Sequence, residues 1–269
     1  MLAIKNNIMA ANAARQLGKS YDALAQSVER LSSGLRINSA KDDAAGMAVR
    51  ELMRADIAVL QQGARNAQDG ISLLQTMEGA LQTIDNALVR MKQLAEQAAT
   101  GSYSSAQRDI MNNEFTEMAE EIERIATSTQ FNAIKMLDNS ATVSIHFGGA
   151  NDYIEVEGST MTKAGLGIDT LSITSATGAK NALTTLDSAI STKDTARAKF
   201  GYKMNRLEST REVLDIQAEN LMASESRISD VDVATEMAAM TRNQVLAQAG
   251  VAMLAQANSM PQMALTLLR

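Results

Sequence analysis

The sequence lacks cysteine and tryptophan, has a single proline, Pro261, and contains only 3% aromatic residues. Without cysteine the chain forms no disulfide and no thiolate metal site, which leaves its redox compartment undetermined. Proline breaks helix interiors, so its scarcity leaves nearly the whole chain free to be helical. Ala, Leu, Ile and 17 Met supply the apolar content instead. This composition is typical of long helices and coiled coils rather than of an enzyme core.

Basic clusters and long apolar runs are also missing. The net charge is -6, and no stripe of Lys and Arg offers the phosphate contacts on which nucleic-acid binding depends. No run of 18 apolar residues is present, so no segment is expected to span a bilayer. Residues 1–8 lack the apolar core of a secretory signal. We expect a protein that is cytosolic or that leaves the cell without a cleaved leader.

Near the N-terminus, apolar residues recur at alternating intervals of four and three. This 3.5-residue repeat predicts a coiled-coil helix, since it keeps one apolar stripe facing a partner. Gly34 and the polar run 38–43 then interrupt the pattern, and Asp42 or Asp43 is placed to cap the next helix. The repeating positions are Ala10, Ala14, Leu17, Tyr21, Leu24, Val28, Leu31 and Leu35.

A long helix is predicted over residues 44–99, followed after Gly101 by a third helix. Ser104 and Gln107 have the spacing of a capping box at the start of that third helix. A helix of this length needs parallel neighbours to cover its apolar stripe, which predicts a rod. The apolar positions are Leu74, Met77, Leu81, Ile84, Leu88, Met91 and Ala95, then Met111, Phe115, Met118, Ile122 and Ile125.

Between about residues 139 and 177 the period changes to two. Val143 and Ile145 precede the pair Gly148–Gly149, and Ile154 and Val156 follow it, each alternating with polar residues. Two such runs across a glycine turn predict a β-hairpin, followed by exposed loops. This is the only segment we expect to be non-helical.

Helical spacing returns from about Ala179. Arg211 and Glu225 are polar exceptions in a stripe made of Phe200, Met204, Leu207, Leu214, Ala218, Leu221 and Ile228. From residue 233 to 257 apolar residues cover most of the helix circumference, so other subunits are expected to bury this helix. A membrane surface is the alternative, but few Lys or Arg residues lie there. The predicted fold is mainly α: a long antiparallel helical rod with a terminal coiled coil and a small β-hairpin segment.

Several motifs in order resemble those of bacterial flagellin. The first is ERLSSGLRINSAKDDAAG at 29–46, and NAQDGIS at 66–72 and TQFN at 129–132 follow it. SRISDVDVATE at 226–236 and VAMLAQAN at 251–258 lie near the C-terminus. The resemblance covers roughly residues 1–139 and 184–269, and about 40 residues stand where flagellins usually carry variable outer domains.

The resemblance implies a structural subunit of the flagellar filament rather than an enzyme, polymerising helically into a hollow propeller. Residues 1–40 with 230–269 would form the inner coiled-coil tube, 41–139 with 178–229 the helical rod domain, and 140–177 a short outer region. The terminal assembly positions are Leu17, Tyr21, Leu24, Val28, Leu31, Leu35, Val245, Val251, Leu254 and Leu268.

The family likeness also implies partners and a location. Besides further copies of itself, the chain would meet the flagellar export apparatus, an export chaperone, and hook-junction and cap proteins, ending in the extracellular filament. The stretch 88–95, with Glu114 on the next helix, resembles the surface sensed by the vertebrate flagellin-specific Toll-like receptor. Arg90, Leu94 and Glu114 match the usual pattern, whereas Val89, Lys92 and Gln93 depart from it. With Leu88, the three matching residues form the candidate receptor face. An intersubunit packing face is the alternative role of this surface.

Other candidate sites favour simpler interpretations. The lone His146 is expected at the surface rather than on a metal. Asp42–Asp43, Asp230, Asp232 and Glu236 precede helices and favour capping over calcium binding. We expect no cofactor, because no nucleophile, base and orienting group come together. The alternative functions are a filament-cap or hook-junction protein, a cytosolic coiled-coil adaptor and, least favoured, an enzyme.

Overall fold

The structure, a computed structural model, describes residues 6–149 and 151–267, with side chains up to residue 260. Its described residues form six helices and one small antiparallel sheet. The elements are α1 (Ile8–Ser33), α2 (Ala44–Ala99), α3 (Ser105–Ser128), β1 (Thr142–His146), β2 (Tyr153–Glu157), α4 (Lys163–Leu166), α5 (Ala176–Ser229) and α6 (Val233–Leu267). The predicted mainly helical fold with one hairpin is confirmed, and α2 has the predicted bounds.

Contacts divide the chain into two compact units, which are described separately. The terminal unit comprises residues 1–57 and 219–269, and the central unit comprises residues 58–218. Both long helices, α2 and α5, contribute residues to each unit.

The central unit contains a continuous apolar core. The stripe predicted along the later half of α2 is fully buried in it, together with Phe115 and Ile122 of α3 and Phe200 and Leu207 of α5. Packing along one face explains why the apolar residues recur every three or four positions. The buried α2 residues are Leu74, Met77, Leu81, Ile84, Leu88, Met91 and Ala95.

The turn between α2 and α3 provides partners for several of the free backbone groups at the two helix ends. The Ser104 hydroxyl accepts from the backbone N–H of Gln107, whose side chain accepts from the Ser104 N–H, so the predicted capping box is present. At the end of α2, the Arg108 guanidinium donates to the carbonyl oxygens of Ala98 (2.8 Å) and Thr100 (3.1 Å). A cation at this end also suits the negative end of the helix dipole.

The hairpin packs one face onto the core. Its register places Val143 opposite Val156 and Ile145 opposite Ile154, and the chain turns through Gly148 and Gly149 as predicted. Ile145, Ile154 and Val156 are buried. The hairpin therefore belongs to the central core through alternate residues of both strands.

The segment after the hairpin differs from the expected exposed loops. It contains the single-turn helix α4, capped by the Thr162 side chain and ended by Gly167 with φ +69°. Met161, Leu166, Ile168 and Ile173 are buried in the core. The prediction that residues 139–177 hold no helix and lie exposed was therefore wrong. The buried apolar residues are widely spaced among Ser, Thr and Gly, so they form no apolar pattern in the sequence.

Two glycines of α2 provide a test of the hairpin contact. A Cβ at Gly63 would collide with the carbonyl oxygen of Phe147, whereas a Cβ at Gly79 would meet no atom within 4 Å. We predict that Gly63→Ala lowers the free energy of unfolding by about 1–3 kcal/mol through overpacking. Gly79→Ala should raise it by roughly 0.5–1 kcal/mol, because alanine loses less entropy in a helix. Urea unfolding followed by circular dichroism measures both, and a stabilising Gly63→Ala would contradict the described contact.

Candidate assembly interface

Within the terminal unit, α1 and α6 pair in antiparallel fashion. The Asn7 side chain donates to the carbonyl oxygen of Ala257 (2.7 Å), and Arg30 forms an ion pair with Glu236 at 3.5 Å. Between these ends, a Cβ built on Gly250 would lie 3.8 Å from the Cα of Leu17. The two backbones therefore approach closely at the middle of the pair.

Small residues line the α1 side of this contact. Ser20 and Ser27 are buried, and their spacing of seven residues is that of a coiled coil. On α6, the buried apolar residues among those described up to residue 260 are Ala247 and Ala257, and they too are small. Small side chains at a helix contact let the backbones come together and keep the contact strip narrow.

The predicted stripe on α1 is divided between two faces. Leu17, Leu24 and Leu31 are half-buried beside α6, as the pattern requires. Tyr21 and Val28, however, are 51% and 50% exposed, and Ala14 is exposed as well. The expectation that all these positions face one partner within the chain was wrong, because Ser20 and Ser27 occupy the places beside α6.

Among the side chains of α6 that the structure describes, up to residue 260, most of the large apolar ones are exposed to solvent. Val245 and Val251 are exposed at 58% and 49%, while Leu254 is half-buried. Leu268 lies outside the described residues. The other large exposed apolar residues of α6 are Val233, Met237, Leu246 and Met253. The pairing of α1 with α6 therefore uses only one side of each helix.

The connections at the base of the two helices bond to each other. Gly34 ends α1 with φ +73°, a left-handed conformation that glycine adopts readily. Its carbonyl oxygen accepts from the Val231 N–H (3.0 Å), and the Arg36 N–H donates to the carbonyl of Ser229 (2.7 Å). Half-buried Leu35 forms a bridge with Asp230 between these bonds. These hydrogen bonds therefore hold the end of α1 beside the start of α6.

The acidic residues near helix starts act in capping and turns. Asp43 accepts from the Gly46 N–H (2.9 Å) at the start of α2, and Asp232 accepts from the N–H groups of Ala234 (3.0 Å) and Thr235. Hydrogen bonds from the Thr235 hydroxyl and backbone, then from the Ala234 backbone, hold the pKa of Asp232 below its usual value. The Ser39 N–H has the same effect on the pKa of Asp42. Both contributions to stability are present above the unfolded pKa and are lost as the pH falls through the folded one.

A second candidate surface lies on the central unit. Arg90 and Glu114 are about half exposed and form an ion pair of 2.7 Å between α2 and α3. Leu88 and Leu94 are buried in the core, so the prediction that they form part of this exposed face was wrong. Their burial follows from the apolar stripe of α2, which included Leu88.

The remaining candidate residues form no reaction centre. His146 is exposed and lies beside the ring of Tyr153, with a centroid separation of 5.2 Å. Among the residues described, no three His, Cys, Asp or Glu side chains cluster as metal ligands. Over the same part of the chain, no helix has the length and apolarity needed to cross a membrane.

Two family models match separate regions of the sequence. The model of the bacterial flagellin N-terminal helical region matches residues 4–142, and that of the C-terminal helical region matches residues 183–268. The chain is 44% identical to a flagellin of Halalkalibacterium halodurans, with 99% of each chain covered. It is 42% identical to the flagellar filament 33 kDa core protein of Treponema phagedenis, again with 99% of each covered.

Solved structures agree with these relatives. A Bacillus cereus flagellin superposes with a TM-score of 0.51 at 33% identity, covering 60% of this chain and 94% of that one. A putative flagellar hook-associated protein of Vibrio parahaemolyticus has a TM-score of 0.57 at 16% identity, covering 70% and 100%. The second likeness concerns the fold alone. The matched regions and the full-length identities place this chain in the bacterial flagellin family, whose members are structural subunits of the flagellar filament.

Proposed function

We propose that the chain polymerises through the exposed apolar faces of α1 and α6. The observation that carries this proposal is the exposure of Tyr21, Val28, Val245 and Val251 on helices that already pair through their opposite sides. Soluble monomers rarely display apolar surface of this extent without a partner for it. Further copies of the same chain are the natural partner in a filament.

The energetics favour burial of these side chains. Moving one Val or Met side chain out of water stabilises an assembly by about 1.5–3 kcal/mol. Several such side chains distributed around α6 require cover from more than one direction, which a single partner helix does not provide. A helical polymer surrounds each subunit with neighbours, and so supplies that cover.

We propose the three layers expected from the family as the arrangement in the filament. Residues 1–40 with 230–269 would form the inner tube, 41–139 with 178–229 the surrounding helical layer, and 140–177 the short outer region. The subunit acts through these surfaces and performs no catalytic step. We further propose that it is exported without a cleaved signal peptide, with the export apparatus, an export chaperone, and hook-junction and cap proteins as its other partners.

The proposal predicts separate effects of substitutions on pairing and on polymerisation. The combined variant Val245→Asp with Val251→Asp should abolish filaments, because it places charges on surfaces that neighbours must bury. The pairing of α1 with α6 should persist, since both side chains already face solvent in the monomer. Electron microscopy under polymerising conditions and circular dichroism of the monomer measure the two properties.

The matched control is Gln75→Asp with Gln82→Asp, which adds the same charge at exposed polar positions of α2, outside the terminal unit. We expect this control to retain filaments, because neither position lies on the apolar faces of α1 and α6. Filaments of normal length from the first variant would refute assembly through the apolar faces.

The Arg90–Glu114 pair supports a second proposal, recognition by the flagellin-specific Toll-like receptor. An exposed arginine and glutamate offer charged hydrogen bonds to a partner, with Leu88 and Leu94 packed beneath them. In the filament the same surface would serve packing between subunits, so recognition would require the monomer.

A cell reporter assay on monomer tests this second role. The parent monomer should activate the receptor, and Arg90→Ala should lower the response at least tenfold by removing one charged contact. Arg124→Ala is the matched control, because Arg124 is also exposed and paired with a neighbouring glutamate on α3. A parent monomer that does not activate the receptor at saturating dose would refute the proposal of receptor recognition.

A further inference from the structure

Three ion pairs join α2 to α5 within the central unit, and their α2 members lie seven residues apart. Residue numbers fall along α5 as they rise along α2, so the helices run antiparallel. Seven residues is also the repeat of the apolar positions beside the pairs, so the three α2 charges occupy equivalent places along the helix. These pairs, here called the charge ladder, are Glu78–Arg197 (3.3 Å), Asp85–Lys193 (2.5 Å) and Lys92–Asp187 (2.5 Å).

Lys193 differs from the other members because it is buried. Its side chain is 3% exposed and stands within an apolar series of α5 that includes Ala189 and Ala196. Burial lowers the pKa of Lys193, but hydrogen bonds to Asp194 and Asp85 outweigh it and raise the pKa above its usual value. A single lysine at a core position of paired helices costs stability and specifies how the helices align.

The apolar residues alone discriminate weakly between alignments. The α2 stripe repeats from Leu74 to Ala95 with little change in chemical character. Moving α5 along α2 by one heptad would again place apolar residues against apolar residues, displaced by about 10 Å. Some other feature has to distinguish the native alignment from its displaced copies.

The order of charges makes this distinction in both directions. If each α5 residue faced the α2 residue one heptad later, Lys193 would oppose Lys92, and Asp187 would lie beside Ala99. If each faced the residue one heptad earlier, Asp187 would oppose Asp85, and Arg197 would lie beside Ile71. Each displacement therefore replaces the three native opposite-charge pairs with a single one, Arg197–Asp85 or Lys193–Glu78 respectively, and creates one like-charge pair. Like charges placed together are an established means of excluding a competing arrangement.

We propose that the charge ladder specifies the register of α2 against α5 and excludes the registers displaced by one heptad, with Lys193 as its buried member. Exposed ion pairs contribute little to stability on their own, but register depends on the difference between attractive and repulsive arrangements. A polymer of identical subunits requires one register in every copy.

An exchange of two ladder charges tests the proposal without changing the net charge. The variant Glu78→Lys with Lys92→Glu opposes like charges at the first and third pairs of the native register. In the register shifted toward later α2 residues, it instead gives opposite charges at two pairs, with Arg197 near Asp85 and Lys193 near position 92. Both substituted side chains are partly exposed, at 35% and 44%, so the core remains unchanged.

The register is measured by electron paramagnetic resonance between two spin labels. The chain has no cysteine, so labels attach only at Gln82→Cys on α2 and Asn181→Cys on α5, both at exposed positions. The parent chain should give one distance. The exchange variant should add a second, longer by about 10 Å, which is the axial length of one heptad. Adding Arg197→Glu and Asp187→Lys restores opposite charges in the native register and should return the single distance.

A folded exchange variant that keeps only the parent distance would overturn the proposal, whatever its stability. If the exchange variant loses its helical circular dichroism signal, the same distance measurement on the single variant Lys92→Glu tests the register. That variant retains two native pairs, and a minor longer distance supports the proposal while its absence overturns it.

Discussion

The close approach of α1 to α6 is the contact on which the assembly surface depends. Ser20, Ser27, Ala247 and Gly250 keep it narrow, because none of them carries a side chain long enough to separate the helices. A narrow contact covers one side of each helix and leaves the rest in solvent. The terminal unit consequently presents apolar residues that its own chain does not cover.

The central unit, unlike the terminal unit, buries its large apolar side chains within its own chain. Large side chains from α2, α3 and α5, with the inward face of the hairpin, fill one continuous core. This core buries its apolar stripe with residues of its own chain. In the assembly proposed above, by contrast, the terminal unit gains further apolar burial from neighbouring subunits. Such a division suits a subunit whose helical ends are completed by polymerisation.

Much of the fold could be predicted from the sequence where apolar residues repeat without interruption. The bounds of α2, the Ser104–Gln107 capping box and the hairpin across Gly148–Gly149 follow from local periodicity and capping chemistry. These features depend on neighbours close in sequence, and such neighbours determine helix ends and tight turns.

The features that the sequence concealed depend on partners distant in sequence. Ser20 and Ser27 are missing from the predicted α1 stripe, because that stripe is identified from apolar residues and serine is polar. Their spacing of seven residues is nevertheless that of a coiled coil. Lys193 is a buried charge on the same stripe of α5 as Ala189 and Ala196. The sequence of α5 alone does not indicate that Asp85 of α2 is its ion-pair partner. The hydrogen bonds of Gly34 and Arg36 to the α5–α6 connection join residues nearly 200 positions apart. Local sequence patterns therefore do not predict these bonds.

The proposed assembly surface can be tested by a high-resolution electron cryomicroscopy structure of the polymerised filament. We predict that Tyr21, Val28, Val245 and Val251 each pack within about 4.5 Å of apolar atoms in neighbouring subunits. We also expect the contact of Leu17 with Gly250 to persist within each subunit. Filaments in which those four side chains remain in solvent, with the subunits joined through other surfaces, would contradict assembly through the apolar faces of α1 and α6.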